Sequence, residues 1–267
     1  MLERETSAGG VVTYVSPLMR AAGVRHAFST RIGGTSPKPF DSLNLGNPSG
    51  CDIQDLGERI RYHYRLLFLA RGCAEKAHMY LHQIHGARVV QVRPGQPHNS
   101  DDKGDALVSD DPTRVLSIRV ADCVPVLLAT EDGRIVAAVH AGWRGVIAGV
   151  VIEAVRQMRA LAARGPQEIV AAIGPSISFD AFEVGTEVLE EFSCAFGPDA
   201  PIRHEANGKG RVDLRESLRQ QLVATGVQKS KIDLTDRCTY RDSDEFFSHR
   251  RDKGISGRMA AIIAAAD

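Results

Sequence analysis

One stretch of the chain constrains its fold more than any other. Residues 115–144, VLSIRVADCVPVLLATEDGRIVAAVHAGWR, hold two runs rich in branched apolar residues on either side of an Asp-Gly pair. Such runs are strands, and Asp132-Gly133 between them predicts a tight hairpin. The register has a chemical consequence. If the turn centres on Asp132-Gly133, opposed residues sum to 265, so Cys123 faces Gly142. His140 then lies two residues along the partner strand and on the same face as Cys123, with Cβ atoms about 7 Å apart or less. A slip of one residue would send the two side chains to opposite faces.

The flanking pattern extends this core. After AGWRGV, residues 146–165 carry apolar residues at three- and four-residue steps and predict one helix stopped by Gly165. Residues 168–173 (EIVAAI) read as a strand. Asp213 and Glu216 form an Asp-x-x-Glu cap for a helix that ends at Gly226. Hairpin strands mixed with helices predict an α/β (α+β) protein rather than a strict βαβ winding. Turn-rich loops fall at residues 33–39, 93–104 and 204–210. None reads as a linker, so the 267 residues are expected to form a single domain, 1–267.

Composition narrows the function classes. Lys+Arg and Asp+Glu both number 33, which argues against a nucleic-acid or anionic-membrane binder. No apolar run approaches the ~18 residues of a membrane span. MLERETSAGG lacks the apolar centre of a secretory leader. The cysteines Cys51, Cys73, Cys123, Cys194 and Cys238 are odd in number and widely spaced, which predicts a reducing, cytoplasmic compartment. Nothing in the sequence sets the oligomeric state.

Three groups of residues carry chemistry. The first is His82, His85, Cys123 and His140. Imidazole and thiolate are the usual zinc ligands, and a catalytic zinc takes three of them and keeps a fourth position for the reactant. The same residues without a metal would suit a thiol nucleophile, Cys123, with His140 as its base. A multicopper centre is disfavoured because no two histidines stand one residue apart. The second group is the polar, Gly-rich 26–36 segment followed by residues 41–46, where Arg31 and Asn44 are candidate substrate contacts or members of a well-capped loop. The third is residues 246–258, where Arg250, Arg251, Lys253 and Arg258 suit a phosphate or form a solvated basic face.

The order HAFSTRIGG, DSLNLG, HQIHG, GDALVSD, ADCVPVLL, AVHAGWRG, IGPSIS with FEVG, and CTYRDSDEFFSHRRDKGISGR resembles the laccase-domain family across nearly the whole chain. That family is also described as YfiH/YlmD-like, multicopper polyphenol oxidase-like, purine nucleoside phosphorylase or peptidoglycan editing factor. The resemblance implies mixed β-sheets layered between helices. It also implies a zinc site on His85, Cys123 and His140, choosing His85 over His82, with copper as an alternative metal. One position departs from the pattern: His249 stands where family members often carry Tyr.

The activities implied are phosphorolysis of purine nucleosides, cleavage of methylthioadenosine and deamination of adenosine. In that setting Arg144, beside His140 at a helix start, would help neutralise phosphate. Arg31, Asn44 and Arg258 would contact the substrate, and Asp122 would orient a ligand, relay a proton or serve as a turn acid. A second expectation is hydrolysis of a wrongly added L-serine from a UDP-N-acetylmuramate conjugate, with the late basic cluster on the diphosphate. A copper-dependent polyphenol oxidase is a further alternative, and a metal- or partner-binding module with incidental catalysis another. In the enzyme readings the partner is a small molecule.

Overall fold

The computed structural model describes residues 1–162, 168–206 and 208–267. Numbered along the chain, the strands of these residues form three sheets. The first sheet runs, in spatial order, β1 (Glu3–Thr6), β2 (Val12–Val15), β3 (Arg25–Ser29), β15 (Met259–Ala264), β7 (Arg114–Val120) and β4 (Ala77–Met79). The second runs β14 (Ile232–Asp233), β10 (Ile169–Ile173), β8 (Val124–Thr130), β9 (Val136–Ala141), β6 (Ala106–Ser109) and β5 (Val89–Val92). A small third sheet orders β11 (Glu183–Val184), β13 (Gly210–Val212) and β12 (Ile202–His204). The helices are α1 (Pro17–Ala21), α2 (Gly57–Ala70), α3 (Trp143–Ile147), α4 (Val150–Leu161), α5 (Thr186–Phe196) and α6 (Leu214–Ala224).

Side-chain alternation explains the layering, because successive residues of a strand point to opposite faces. Leu116, Ile118 and Val120 of β7 meet Leu127 and Ala129 of β8 and Val136 and Ala138 of β9 in the core between the two large sheets. Val115 of β7 and Ala260, Ile262 and Ala264 of β15 turn the other way, onto Tyr64, Leu67 and Phe68 of α2. Val126 and Leu128 of β8 and Ala137 and Val139 of β9 face α4, α5 and α6. The architecture is therefore mixed α/β, with two sheets back to back and helices on both outer faces. No helix among the described residues is long and apolar enough to cross a membrane.

The hairpin register is the one the turn predicts. Pro125 pairs with His140 and Val124 with Ala141, so opposed residues sum to 265. Two other expectations are corrected. The apolar run 115–130 is not one element. It breaks at residues 121–123, where the chain leaves β7 in the first sheet and enters β8 in the second, and Asp122 takes a positive φ of 86°. The segment after His140 is likewise two helices, α3 and α4, because Gly149 between them has φ 74°. The left-handed region is open to glycine at no steric cost and cannot continue a helix. The predicted stop at Gly165 lies outside the described residues. The Asp213 cap is present: its carboxylate accepts the Glu216 N–H at 3.0 Å, and α6 ends at Ala224, two residues before Gly226.

Candidate metal centre

His85, Cys123 and His140 come together at one end of the sheet pair, each delivered by a different feature of the topology. His85 lies on the connection from β4 in the first sheet to β5 in the second. Cys123 lies on the β7–β8 crossover between the same two sheets, and His140 is the penultimate residue of β9. One ligand atom from each falls within 4.8 Å of the others. The two imidazole rings sit edge to face with centroids 4.9 Å apart. His140 is buried, Cys123 half-buried and His85 exposed, so the centre opens to solvent on the His85 side. His82 stays outside the cluster; its backbone ties the loop to Asp102 and Gly104.

A single buried carboxylate organises two of these ligands. Asp105, with no exposed surface, accepts the backbone N–H groups of His85 at 2.8 Å and Gly86 at 2.7 Å. It also accepts the Nδ1–H of His140 at 2.9 Å. His85 has φ 59°, an unfavourable conformation for a side-chain-bearing residue, and the carboxylate holds the loop in it. With Nδ1 of His140 committed to Asp105, Nε2 is the nitrogen left for a ligand, the usual carboxylate–imidazole arrangement around a metal.

Asp122 does comparable work beside Cys123. Its carboxylate accepts Thr239 Oγ1 at 2.7 Å, Ser248 Oγ at 3.0 Å and the Arg250 N–H at 2.7 Å. Its carbonyl accepts the Ile177 N–H at 3.0 Å. The late segment carrying His249 is thereby pinned to the residue next to the thiol.

The electrostatics fit a cation. Burial pushes the Cys123 thiol up, but the facing His140 and hydrogen bonds from both imidazoles outweigh it, so the thiol is held well below its usual range. Burial pulls His140 down, yet the Cys123 thiolate and Asp105 reverse this and raise it. A divalent ion would bind the thiolate that is already formed and displace the proton from His140 Nε2. The space is equally specific: a Cβ on Gly142 would stand 3.1 Å from Cys123 Sγ and 3.1 Å from His85 Cδ2. The donors (two imidazoles and a thiolate) and the cleared space beside them therefore fit a metal ion.

The other predicted residues are placed as follows. Arg258 lies near this centre; burial and then Arg119 lower its pKa, while Cys123 and Asp122 oppose the shift. The His249 imidazole is lowered by burial and by Arg258, with Asp122 raising it and His85 lowering it further, which places the ring among these groups. Asn44 is fully buried, and its amide is spent on Asp55 Oδ2, Gly46 N–H and Arg258 N–H, so it braces the loop that carries Gly46. Arg31 donates to the carbonyls of Asp41 and Ser243, pairs with the Asp41 carboxylate at 3.1 Å and lies over the Phe247 ring. Arg144 is exposed and stacks on Trp143 at 4.2 Å. Arg250 donates to Glu183 O, and Arg251 to Thr239 O and Phe246 O.

Sequence reasoning passed over Asp105, Gln83 and Arg119. The first two lie inside quoted motifs, GDALVSD and HQIHG, and Arg119 lies two residues before ADC. Gln83 clasps the backbone of Arg119 from both sides, accepting its N–H at 2.8 Å and donating to its carbonyl at 2.8 Å. An acid opening an apolar strand was the available signal for Asp105; its partners are distant in sequence.

Known proteins resemble this chain over most of their length. The family model described as multi-copper polyphenol oxidoreductase laccase matches residues 25–266. The chain is 40% identical over 241 residues to the purine nucleoside phosphorylase YfiH of Escherichia coli strain K12, covering 90% of this chain and 93% of that protein. It is 37% identical over 250 residues to a purine nucleoside phosphorylase of Deinococcus radiodurans, covering 92% of each. Among solved structures, YlmD from Geobacillus stearothermophilus superposes with a TM-score of 0.88 at 30% identity over 99% of both chains.

Proposed function

Because the chain belongs to the multi-copper polyphenol oxidoreductase laccase family, and because its chemistry-bearing residues converge on one centre, we propose that it is a metal-dependent purine nucleoside phosphorylase. The observation that carries the reading is the His85–Cys123–His140 cluster with its Asp105 brace, in a chain whose relatives bear that activity in their names. Adenosine deamination and methylthioadenosine phosphorolysis belong to the same proposal, since each acts on a purine nucleoside at one site.

His85, Cys123 and His140 would hold the metal. Two nitrogens and a sulfur favour zinc, and copper is the alternative such donors accept. When bound, the ion supplies Lewis acidity at a position open to the reactant. The remaining work is done by the chain. Asp105 keeps the His140 proton on Nδ1 and fixes the His85 loop, so the donor positions are set before substrate arrives. Asp122 draws residues 248–250 against the Cys123 turn and so sets the exposed His249 beside it. Burial and Arg258 hold that imidazole below its usual range, which favours the neutral ring. Phosphorolysis then forms a bond from a phosphate oxygen to C1′ of the ribose and breaks the bond from C1′ to the base, which leaves with the electron pair.

The alternatives draw less support. Serine hydrolysis from a UDP-sugar conjugate would place the diphosphate on the late basic cluster, where Arg250 and Arg251 donate to backbone carbonyls and Arg258 is the member set beside the centre. A multicopper oxidase needs further histidine pairs, and the described residues offer one three-donor cluster. The test is product analysis of the metal-loaded protein with inosine and phosphate. Hypoxanthine and ribose 1-phosphate are expected; their absence, with free serine released from UDP-N-acetylmuramoyl-L-serine instead, would replace this reading by the hydrolase.

A further inference from the structure

Two arginines next to the centre have no acidic partner among the described residues. Ala260 of β15 pairs with Arg119 of β7, and Met259 with Val120. One step along the same ladder sets Arg258 opposite Ala121, so Arg258 and Arg119 are diagonal neighbours on one face of the sheet. That face is the one turned away from the second sheet, since Leu116, Ile118 and Val120 fill the core between the sheets. Both stems lie against Gly46: a Cβ there would come within 2.8 Å of Arg119 Cδ and 3.4 Å of Arg258 Cβ and Cγ. The bare backbone at Gly46 is what lets two guanidinium groups share this space.

Their hydrogen bonds leave most of the charge unspent. Arg258 uses Nη1 on the carbonyls of Ser256 and Gly257. The Arg119 guanidinium makes one long hydrogen bond, from Nη2 to Leu81 O at 3.4 Å, and lies over the Tyr80 ring at 5.9 Å. Neither forms an ion pair among the described residues. Two partly buried like charges side by side are costly, and a bound oxyanion offsets that cost with bidentate, charge-assisted hydrogen bonds. The placement is also anchored to the centre. Gln83, two residues before His85, fixes the backbone of Arg119, and Arg119 is itself four residues before Cys123. Asn44 and Leu45 fix the backbone of Arg258.

We propose that Arg119 and Arg258, over Gly46, form the subsite that binds a phosphate group at this centre. The proposal rests on the phosphorylase reading for its occupant, inorganic phosphate; the phosphates of a nucleotide-sugar would present the same chemistry. Arg144 is then not the phosphate ligand.

The test is calorimetric titration of metal-loaded protein with inorganic phosphate and, separately, with uridine diphosphate. In wild type, phosphate binds; Arg119→Gln and Arg258→Gln each weaken it at least tenfold, Arg119→Lys recovers part of the loss, and Arg144→Gln changes it less than twofold. In turnover, Arg119→Gln raises KM for phosphate at least tenfold while KM for inosine stays within twofold, a split that a general structural defect would not give. Arg119-dependent binding of uridine diphosphate without binding of inorganic phosphate would keep the subsite and move its occupant to a nucleotide-sugar. Equal affinities in wild type and both Gln variants, or no binding of either probe by wild type, overturns the subsite. If ribose 1-phosphate never forms but phosphate binding still depends on Arg119, the phosphorylase reading falls and the subsite stands.

Discussion

At the scale of single residues, Asp105 and Asp122 hold the centre more than the three ligands hold themselves. Asp105 unites the His85 loop and the His140 ring through one buried carboxylate. Carboxylates in this position typically contribute 10- to 100-fold to metal affinity. Asp105→Asn is therefore expected to weaken zinc binding by about that factor while the protein still folds, as measured by competition with a chromophoric chelator; unchanged affinity would show that the His ligands are oriented by something else. Asp122→Ala leaves three donors without their acceptor and puts alanine at φ 86°. A loss of at least ~2 kcal/mol in denaturant unfolding is expected. Neither role could be read from sequence, because the partners of Asp105 lie up to 35 residues away and those of Asp122 up to 128.

At the scale of elements, local backbone chemistry decides where strands and helices stop. The break between α3 and α4 is set by Gly149 at φ 74°, where an added Cβ meets only Ile152 at ordinary contact distance. Gly149→Ala should thus cost about 1 kcal/mol through strain rather than a clash. A loss near zero in chemical denaturation would mean that the two helices merge without penalty. The join between β3 and α1 is a pH-sensitive element. His26 Nε2 accepts the Ser16 N–H at 2.8 Å, and Nδ1 lies 3.2 Å from Val24 O, so the neutral ring is the one that fits. Burial pushes His26 down to about 4. Its folded pKa lies below its unfolded value, so its contribution is complete above about pH 6.5 and is lost as pH falls toward 4. The loss is ~3 kcal/mol. Urea melts of wild type and His26→Gln across that window should differ in slope; parallel curves would refute the assignment.

For the whole molecule, the ligands come from two crossovers and one strand end, all at the junction of the two large sheets. A metal bound to all three ties those segments together in the folded state alone. Free zinc at a hundredfold excess over its Kd should then stabilise the fold by ~2.7 kcal/mol. Thermal unfolding with and without chelator is the measurement: Tm should fall on chelation, and Cys123→Ser should remove most of the difference.

The sequence by itself determined the parts governed by near neighbours. The Asp132-Gly133 turn set the β8–β9 register, with Pro125 opposite His140 and Val124 opposite Ala141, and so brought Cys123, the residue before β8, to the His140 end of the hairpin. Asp213 began α6 through its own side chain. The ordered motifs, matched against a known family, added His85, which no local spacing selects over His82. Tertiary structure alone decided the rest. It split residues 115–130 between two sheets, turned the carboxylates of Asp105 and Asp122 onto distant donors, and tied Arg31 and Asn44 into loop bracing, while Arg119 and Arg258 have no counter-charge among the described residues. The physical reason is range: dihedral preferences and strand alternation act over a few residues, whereas the partner of a buried charge is fixed only when remote segments pack together.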